Sequence, residues 1–115
     1  MPEGGRRERG DVVISSVVVR YTLRPDAMSE HVRLIDAVMT QLHEDGPDTL
    51  DYRVLRLSDG VTFVHVSTCD TPDGTSPLGA LSAFREFQAD LGSRVATPPD
   101  PSTADVIGSY VGLSS

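Results

Sequence analysis

Apolar positions follow two different periods along the chain, and each change of period marks a new structural element. Residues 12–23 alternate at period two and are rich in β-branched side chains, which predicts a strand. Residues 28–42 carry apolar side chains three and four positions apart, which predicts an amphipathic helix. Its predicted buried stripe comprises Met28, Val32, Ile35, Val38, Met39 and Leu42. Asp26 is expected to cap this helix and Gly46 to end it.

A hairpin is predicted next, because Asp59-Gly60 lies between two runs rich in β-branched and aromatic residues. Counting back from a two-residue loop places Val54 opposite His65. One face of the hairpin then carries Tyr52, Val54, Arg56, Val61, Phe63, His65 and Ser67. The other face carries Arg53, Leu55, Leu57, Thr62, Val64 and Val66. Both faces are substantially apolar, so both are expected to be covered.

The C-terminal third predicts a helix, a connector and a last strand. Apolar spacing favours a helix over residues 78–94. Residues 95–103 contain a doubled proline and are predicted to be an irregular connector, and residues 104–112 are predicted to form the last strand. Residues 1–11 have no periodicity and are predicted to be a disordered arm. Residues 12–112 are then a single domain.

The order β-α-β-β-α-β is that of the ferredoxin-like fold, an α+β architecture with a four-stranded antiparallel sheet. Right-handed crossovers place both helices on one face of that sheet. The opposite face stays bare in a lone subunit and carries four apolar side chains, Leu55, Leu57, Val64 and Val66. Apolar patches of this kind are usually covered, so we expect a homodimer that packs these faces together.

With this order of elements the chain resembles the dimeric α/β-barrel superfamily, and within it small proteins of the antibiotic-biosynthesis-monooxygenase type. The segments that carry the resemblance are VVVRYTLRPD, YRVLRLSDGVTFVHV and LSAFREFQADL. The resemblance implies a small-molecule pocket between the sheet and the helices of each subunit. Relatives include cofactor-independent oxygenases of polyketide quinols, haem degraders, lactone isomerases and small proteins with no assigned activity.

The amino-acid composition excludes some of these activities. The chain contains no Asn and no Trp, so the Asn-Trp-His arrangement of the haem degraders cannot exist here. Where such relatives carry a Trp after the third strand, this sequence has Cys69. It also contains no Lys, which excludes Schiff-base chemistry and the lysine of phosphate-binding loops. No cofactor is expected, and an oxygenase on this scaffold has to rely on Tyr, His and Arg.

Charge and cysteine content bear on partners and location. The net charge is −7, and the one cluster of arginines lies in the N-terminal arm, which argues against nucleic-acid binding. No apolar run approaches the length of a membrane span. The single cysteine cannot form an intramolecular disulfide, so we expect a cytoplasmic protein. The abundance of residues with GC-rich codons favours a bacterial source.

Candidate chemistry concentrates on the hairpin face that we assign to the helix side. His65 could act as a general base on a phenol, because an imidazole titrates near neutral pH. The alternative is a core histidine with a satisfied ring. Tyr52 and Arg56 could hold an anionic aromatic ligand, or could simply pack and be solvated. Phe84 and Phe87 of the second helix are expected to wall the same cavity or the core, and Phe63 and Phe84 are expected to contact the ligand.

The remaining histidines and acidic residues offer no convincing metal site. His31 and His43 lie on the polar side of the first predicted helix and are expected to be solvated. No metal is predicted. The sequence leaves two functions open, a cofactor-independent monooxygenase acting on a small aromatic or polyketide-like molecule, and a non-catalytic binding or accessory dimer. A lactone-isomerase-like or stress-protein relative is a third reading, and fold alone does not decide among them.

Overall fold

The computed structural model describes residues 13–113, which form one four-stranded antiparallel sheet with helices on one face. The strands are β1 (Val13–Leu23), β2 (Leu50–Arg56), β3 (Thr62–Thr71) and β4 (Val95–Ala104). The helices are α1 (Met28–Asp45), α2 (Ser82–Ala89) and α3 (Leu91–Arg94), with short 3-10 turns at Pro25–Ala27 and Pro77–Ala80. The strand order β2-β3-β1-β4 confirms the predicted ferredoxin-like fold. The predicted N-terminal arm lies outside the described residues.

The hairpin has the predicted register, although its turn differs. Val54 is paired with His65. The turn closes with the amide of Gly60 donating to the carbonyl of Leu57 at 2.9 Å, and Gly60 has a φ of 83°. The Asp59 carboxylate accepts the amide hydrogens of the two residues after the turn at 3.0 and 2.9 Å, which holds β3 in register.

Helix α1 buries most of the predicted stripe at least partly, but its most buried face also includes two residues outside that stripe. Its buried residues are His31, Leu34 and Val38, whereas Val32 is 37% exposed. These three residues are also spaced three and four apart, so the true face is rotated by about one position. The prediction that His31 is solvated was therefore wrong.

The ends of α1 are only partly as predicted. Asp26 does not cap the helix; its carboxylate accepts from the Arg24 guanidinium at 2.9 Å, and Ala27 occupies the cap position without a side-chain bond. Gly46 does end the helix, with a left-handed φ of 58° that glycine adopts without strain.

The second predicted helix is broken into three pieces, because Leu81 is extended and Asp90 leaves helical geometry. The break at Asp90 turns α3 so that the guanidinium of Arg94 points back toward α2. There its Nη2 donates to the carbonyl of Phe87 at 2.5 Å. Arg94 thus satisfies a carbonyl that the shortened helix leaves without a helical partner.

The last strand is displaced along the chain. Residues 95–103, predicted as a connector, lie within β4, whereas residues 105–113 form no helix or strand. The prolines are tolerated because β4 is an edge strand that pairs only with β1, with register shifts near Thr22. The stretch 105–113 leaves apolar side chains in solvent, with Ile107 94% and Tyr110 93% exposed. No helix in residues 13–113 is long and apolar enough to cross a membrane.

Candidate functional site

A cavity of about 460 Å³ lies between the sheet and the helices. This volume falls within the range of about 300–1,000 Å³ typical of small-molecule sites. Most of its wall is aliphatic or aromatic, with Val17 and Val19 from β1, Phe84 from α2 and Pro101 from β4. None of its lining residues is charged, and its polar residues are Tyr21, Tyr52, His65, Ser67, Ser76 and Gln88.

The registers of β1, β2 and β3 place His65 between two tyrosines. Tyr52 pairs with Ser67, two residues beyond His65, and Tyr21 pairs with Phe63, two residues before it. Both tyrosines are therefore diagonal neighbours of His65 on the helix-facing side of the sheet, within reach of long side chains. Each strand contributes one member of this group, so the pairing of the strands itself assembles it.

Five side chains form a continuous buried hydrogen-bonded chain, here called the buried relay: Arg94, His31, Tyr21, His65 and Tyr52. Arg94 Nε donates to His31 Nδ1 at 3.0 Å. The Tyr21 hydroxyl lies 2.5 Å from His31 Nε2 and 2.7 Å from His65 Nε2. The Tyr52 hydroxyl lies 2.7 Å from His65 Nδ1. Both ring nitrogens of both histidines are engaged.

The surroundings favour the uncharged forms of the two histidines and the two tyrosines of the buried relay. Burial lowers the pKa of His65 to about 4. Burial, together with the nearby Arg94 and His65, lowers the pKa of His31 to about 4. Burial raises the pKa values of the Tyr21 and Tyr52 hydroxyls above their ordinary value. At neutral pH both imidazoles are uncharged and both tyrosines are protonated.

The structure brings together only part of the predicted site. Tyr52, His65 and Phe84 all line the cavity. Phe63 is buried beneath them, with its ring centroid 5.7 Å from that of Tyr21. Arg56 lies at the exposed end of β2, with its guanidinium 3.7 Å from the Met28 sulfur. It lines a separate groove beside α1 and does not reach Tyr52.

Comparison with known proteins supports the architecture. No family model and no curated protein matches the chain. Rv0793 from Mycobacterium tuberculosis superposes with a TM-score of 0.70 at 19% identity, covering 86% of this chain and 100% of that one. A protein described as an antibiotic biosynthesis monooxygenase superposes with a TM-score of 0.68 at 12% identity, covering 84% and 100%. A variant of SnoaB, a cofactor-independent oxygenase from Streptomyces nogalater, superposes with a TM-score of 0.62 at 14% identity, covering 84% and 95%.

The chain has the antibiotic-biosynthesis-monooxygenase-like fold. At these identities the likeness establishes the architecture and leaves the chemistry to be argued from the chain's own residues. The cavity of this monooxygenase-like fold lies where the resemblance implied a pocket, between the sheet and the helices.

Three members of the buried relay were missed as functional residues by sequence reasoning. Tyr21 is buried, and no local pattern predicts that its hydroxyl joins two histidines. His31 was placed on the wrong face of α1. A signal existed in the spacing of His31, Leu34 and Val38, which makes an equally good helical stripe. Arg94 gave no signal, because its role depends on the turn at Asp90.

Residues 13–113 of this monooxygenase-like fold hold no cluster of three or more His, Cys, Asp or Glu side chains that could bind a metal ion. Cys69 is buried on β3, with its sulfur 3.7 Å from the carbonyl of Gly74. It lines a small pocket distinct from the main cavity. The polar groups available to a ligand in the main cavity are therefore neutral hydrogen-bonding side chains.

Proposed function

We propose that this protein binds a small aromatic, polyketide-like phenol in the main cavity and oxygenates it without a cofactor. The observation that carries the proposal is the uncharged, largely apolar cavity in which the hydroxyl of Tyr52 ends the buried relay. A flat aromatic molecule matches the apolar walls, and one of its oxygen substituents matches the hydroxyl. The fold shared with SnoaB is consistent with this reaction class.

The reaction proposed is the oxidation of a phenol by O₂ to a quinone and water. One oxygen atom of O₂ is incorporated into the ring carbon that loses hydrogen, and the other leaves as water. The phenol is oxidised and O₂ is reduced, so no further reductant is required. The phenolate is the electron-rich form that reacts with O₂. The ligand releases its phenolic proton to solvent before it binds, and the oxygen atom that leaves takes up a proton in its place to become water. The protein's contribution is to stabilise the bound anion.

His65 was predicted to be the general base, but its hydrogen bonds favour a role in positioning Tyr52. Both ring nitrogens of His65 already contact tyrosine hydroxyls, so the ligand is met by Tyr52 and not by the imidazole. We assign Tyr52 the contact with the ligand oxygen and His65 the positioning of Tyr52. Phe84, whose ring centroid lies 6.4 Å from that of Tyr52, would stack near the ligand ring.

The test uses 1,5-dihydroxynaphthalene with O₂ as the only co-reactant. We expect O₂ uptake matched by formation of the hydroxynaphthoquinone. Replacing Tyr52 with Phe should lower kcat by about a hundredfold, the range seen when one oxyanion-stabilising donor is removed. Tyr110→Phe is the matched control, because Tyr110 is 93% exposed and lies outside the fold's core. Equal loss in both variants, or none in Tyr52→Phe, would contradict the assignment.

A non-catalytic binding protein is the second candidate, because an uncharged cavity can hold a ligand without reacting with it. Saturable binding of 1,5-dihydroxynaphthalene that Tyr52→Phe weakens, without O₂ uptake, would favour this candidate. Absence of both binding and turnover would remove both readings for this class of ligand.

We also propose that the protein forms a homodimer through the face of the sheet opposite the helices. Leu55 on that face is 42% exposed, and Leu57, Val64 and Val66 are partly exposed. A second copy offers the same apolar face, so a two-fold pairing is self-complementary. The exposed apolar side chains of residues 105–113 add surface that a partner could cover.

Sedimentation velocity at micromolar concentration tests the pairing. We expect a species of twice the chain mass that dissociates on dilution with one equilibrium constant. A monomer at tens of micromolar would contradict the proposal, since a standard interface of about 800 Å² per partner should hold at that concentration.

A further inference from the structure

The buried relay contains a residue that can only donate hydrogen bonds. The Arg94 guanidinium carries N–H groups and no acceptor. Its Nε donates to His31 Nδ1 at 3.0 Å, so Nδ1 holds a lone pair. A neutral His31 then carries its hydrogen on Nε2. The arginine therefore determines the tautomer of the first histidine.

The remaining hydrogens follow in order. His31 Nε2–H donates to the Tyr21 oxygen at 2.5 Å, which leaves the Tyr21 hydrogen for its other partner, His65 Nε2, at 2.7 Å. His65 therefore accepts at Nε2 and carries its own hydrogen on Nδ1, which donates to the Tyr52 oxygen at 2.7 Å. The hydroxyl hydrogen of Tyr52 is the one left over, and Tyr52 lines the cavity.

The opposite direction is disfavoured by the buried end of the relay. Reversing every bond would put a hydrogen on His31 Nδ1, directly against the N–H of Arg94. Two donors would then face each other where His31 is 0% and Arg94 is 5% exposed. Water cannot relieve that conflict at full burial, so the arginine holds the direction.

We infer that Arg94 is a positioning residue that directs the buried relay toward the cavity, so that Tyr52 donates to an unprotonated oxygen of the ligand, a phenolate or an enolate. This inference deepens the proposed function and rests on it for the identity of the ligand. A carboxylate or phosphate fits less well, because no cation among residues 13–113 lines the cavity and one hydroxyl satisfies one oxygen. A delocalised anion with a single acceptor oxygen matches the site.

The direction can be measured without any ligand. Side-chain ¹⁵N NMR distinguishes the two tautomers of a neutral histidine. We expect opposite tautomers, with the hydrogen on Nε2 in His31 and on Nδ1 in His65. His43, which is exposed on the same helix, is the control and should average between forms. The same tautomer in His31 and His65, or the reversed pair, overturns the inference.

Substitutions of Arg94 distinguish its effect on the direction of the hydrogen bonds from its effect on packing. Lysine also has donors only, so Arg94→Lys should keep both tautomers. Glutamine carries a donor and an acceptor, so Arg94→Gln should produce a mixture with the reversed pair. Unchanged tautomers in a folded Arg94→Gln would show that the arginine does not set the direction. The measurement on the unsubstituted protein remains decisive if both variants fail to fold.

Ligand preference is tested with 4-nitrophenol, whose phenolate and phenol absorb at different wavelengths. We expect the protein to bind the phenolate at least about tenfold more tightly, the size of one hydrogen bond to a charged group. That preference should disappear in Tyr52→Phe and fall by about threefold or more in Arg94→Gln. The non-ionisable 4-nitroanisole is the matched probe, and its affinity should change little in Arg94→Gln.

The outcomes separate this inference from the proposed function. Equal affinity for phenol and phenolate in the unsubstituted protein overturns the inference. A clear phenolate preference without O₂ uptake by 1,5-dihydroxynaphthalene supports the inference while contradicting catalysis. Turnover that persists with the two tautomers reversed supports oxygenation and rejects the direction assigned here.

Discussion

The two faces of the sheet are built from the same strands, yet they differ in what they require of their neighbours. The helix-facing side buries Tyr21, Phe63 and His65 to 7% exposure or less. The opposite side leaves Leu55 42% exposed, and no helix in residues 13–113 covers it. Both faces are apolar enough to need cover. The difference is that the covered side also buries ionisable side chains, those of His31, His65 and Arg94, whose hydrogen bonds must be satisfied in burial.

Low pH should lower the free energy of unfolding through the helix-facing side of the sheet, and this is the largest effect we expect. The pKa values of His31 and His65 are about 4 when folded and about 6.5 when exposed, so the unfolded chain binds more protons. Their stabilisation is complete above about pH 6.5 and is lost as the pH falls toward 4, by about 3 kcal/mol for each histidine. Urea unfolding at several pH values measures this loss.

Exposed histidine supplies the control for the acid effect. His43→Gln should leave the pH dependence unchanged, because His43 lies on the exposed side of α1. His65→Gln should be less stable near pH 7 but flatter between pH 6.5 and 4. A stability that is constant over this range in the unsubstituted protein would contradict the burial of two neutral histidines.

The second prediction compares two arginines, one on each face. Arg94→Leu removes the donor to His31 Nδ1 and to the carbonyl of Phe87, so we expect a loss of about 4 kcal/mol in the free energy of unfolding. Arg53→Leu on the opposite, exposed face should change it by about 0.5 kcal/mol or less. Equilibrium urea denaturation of both variants at neutral pH, at concentrations where the subunits are dissociated, gives the comparison. Similar losses would remove the distinction.

The third prediction addresses the bare face. Leu55→Asp should weaken the proposed dimer by about 2 kcal/mol, roughly thirtyfold in its dissociation constant, because a charge would be buried in the apolar centre of the interface. The fold of each subunit should persist, since Leu55 is already 42% exposed in the single chain. Sedimentation gives the dissociation constant and circular dichroism reports the fold. A dimer of unchanged strength would place the interface elsewhere.

The smallest effect is expected from removing residues 106–115. The apolar side chains that this truncation removes in the described part of the chain contact solvent, with Ile107 94% exposed. We therefore expect the unfolding free energy to change by about 0.5 kcal/mol or less, as for other exposed positions. Differential scanning calorimetry under dissociating conditions measures this. A loss of several kcal/mol would show that the segment packs on the domain.

Local sequence patterns predicted the fold correctly where one or two residues determine the backbone geometry. Asp59-Gly60 gave the register that pairs Val54 with His65, and Gly46 ended α1 as predicted. Prediction failed where a contact between residues distant in sequence determines the structure. The doubled proline excludes a central strand and so predicted an irregular connector, whereas β4 is an edge strand, where prolines are tolerated.

The site was predictable only in part for the same reason. Tyr52 and His65 share a strand face, which alternation alone reveals, and Phe84 follows from helical spacing. The group that gives the relay its direction could not be found this way. Arg94 meets His31 across 63 positions of sequence, and it does so only because the helix breaks at Asp90.

The prolines of β4 have a consequence for how copies of this chain can associate. Three of the ten residues of β4, Pro98, Pro99 and Pro101, lack an amide hydrogen. A neighbouring strand therefore finds an interrupted row of donors along this rim, and continuous ladder growth from copy to copy is blocked there. Such a rim disfavours open-ended association through β4, which is compatible with the face-to-face pairing proposed above.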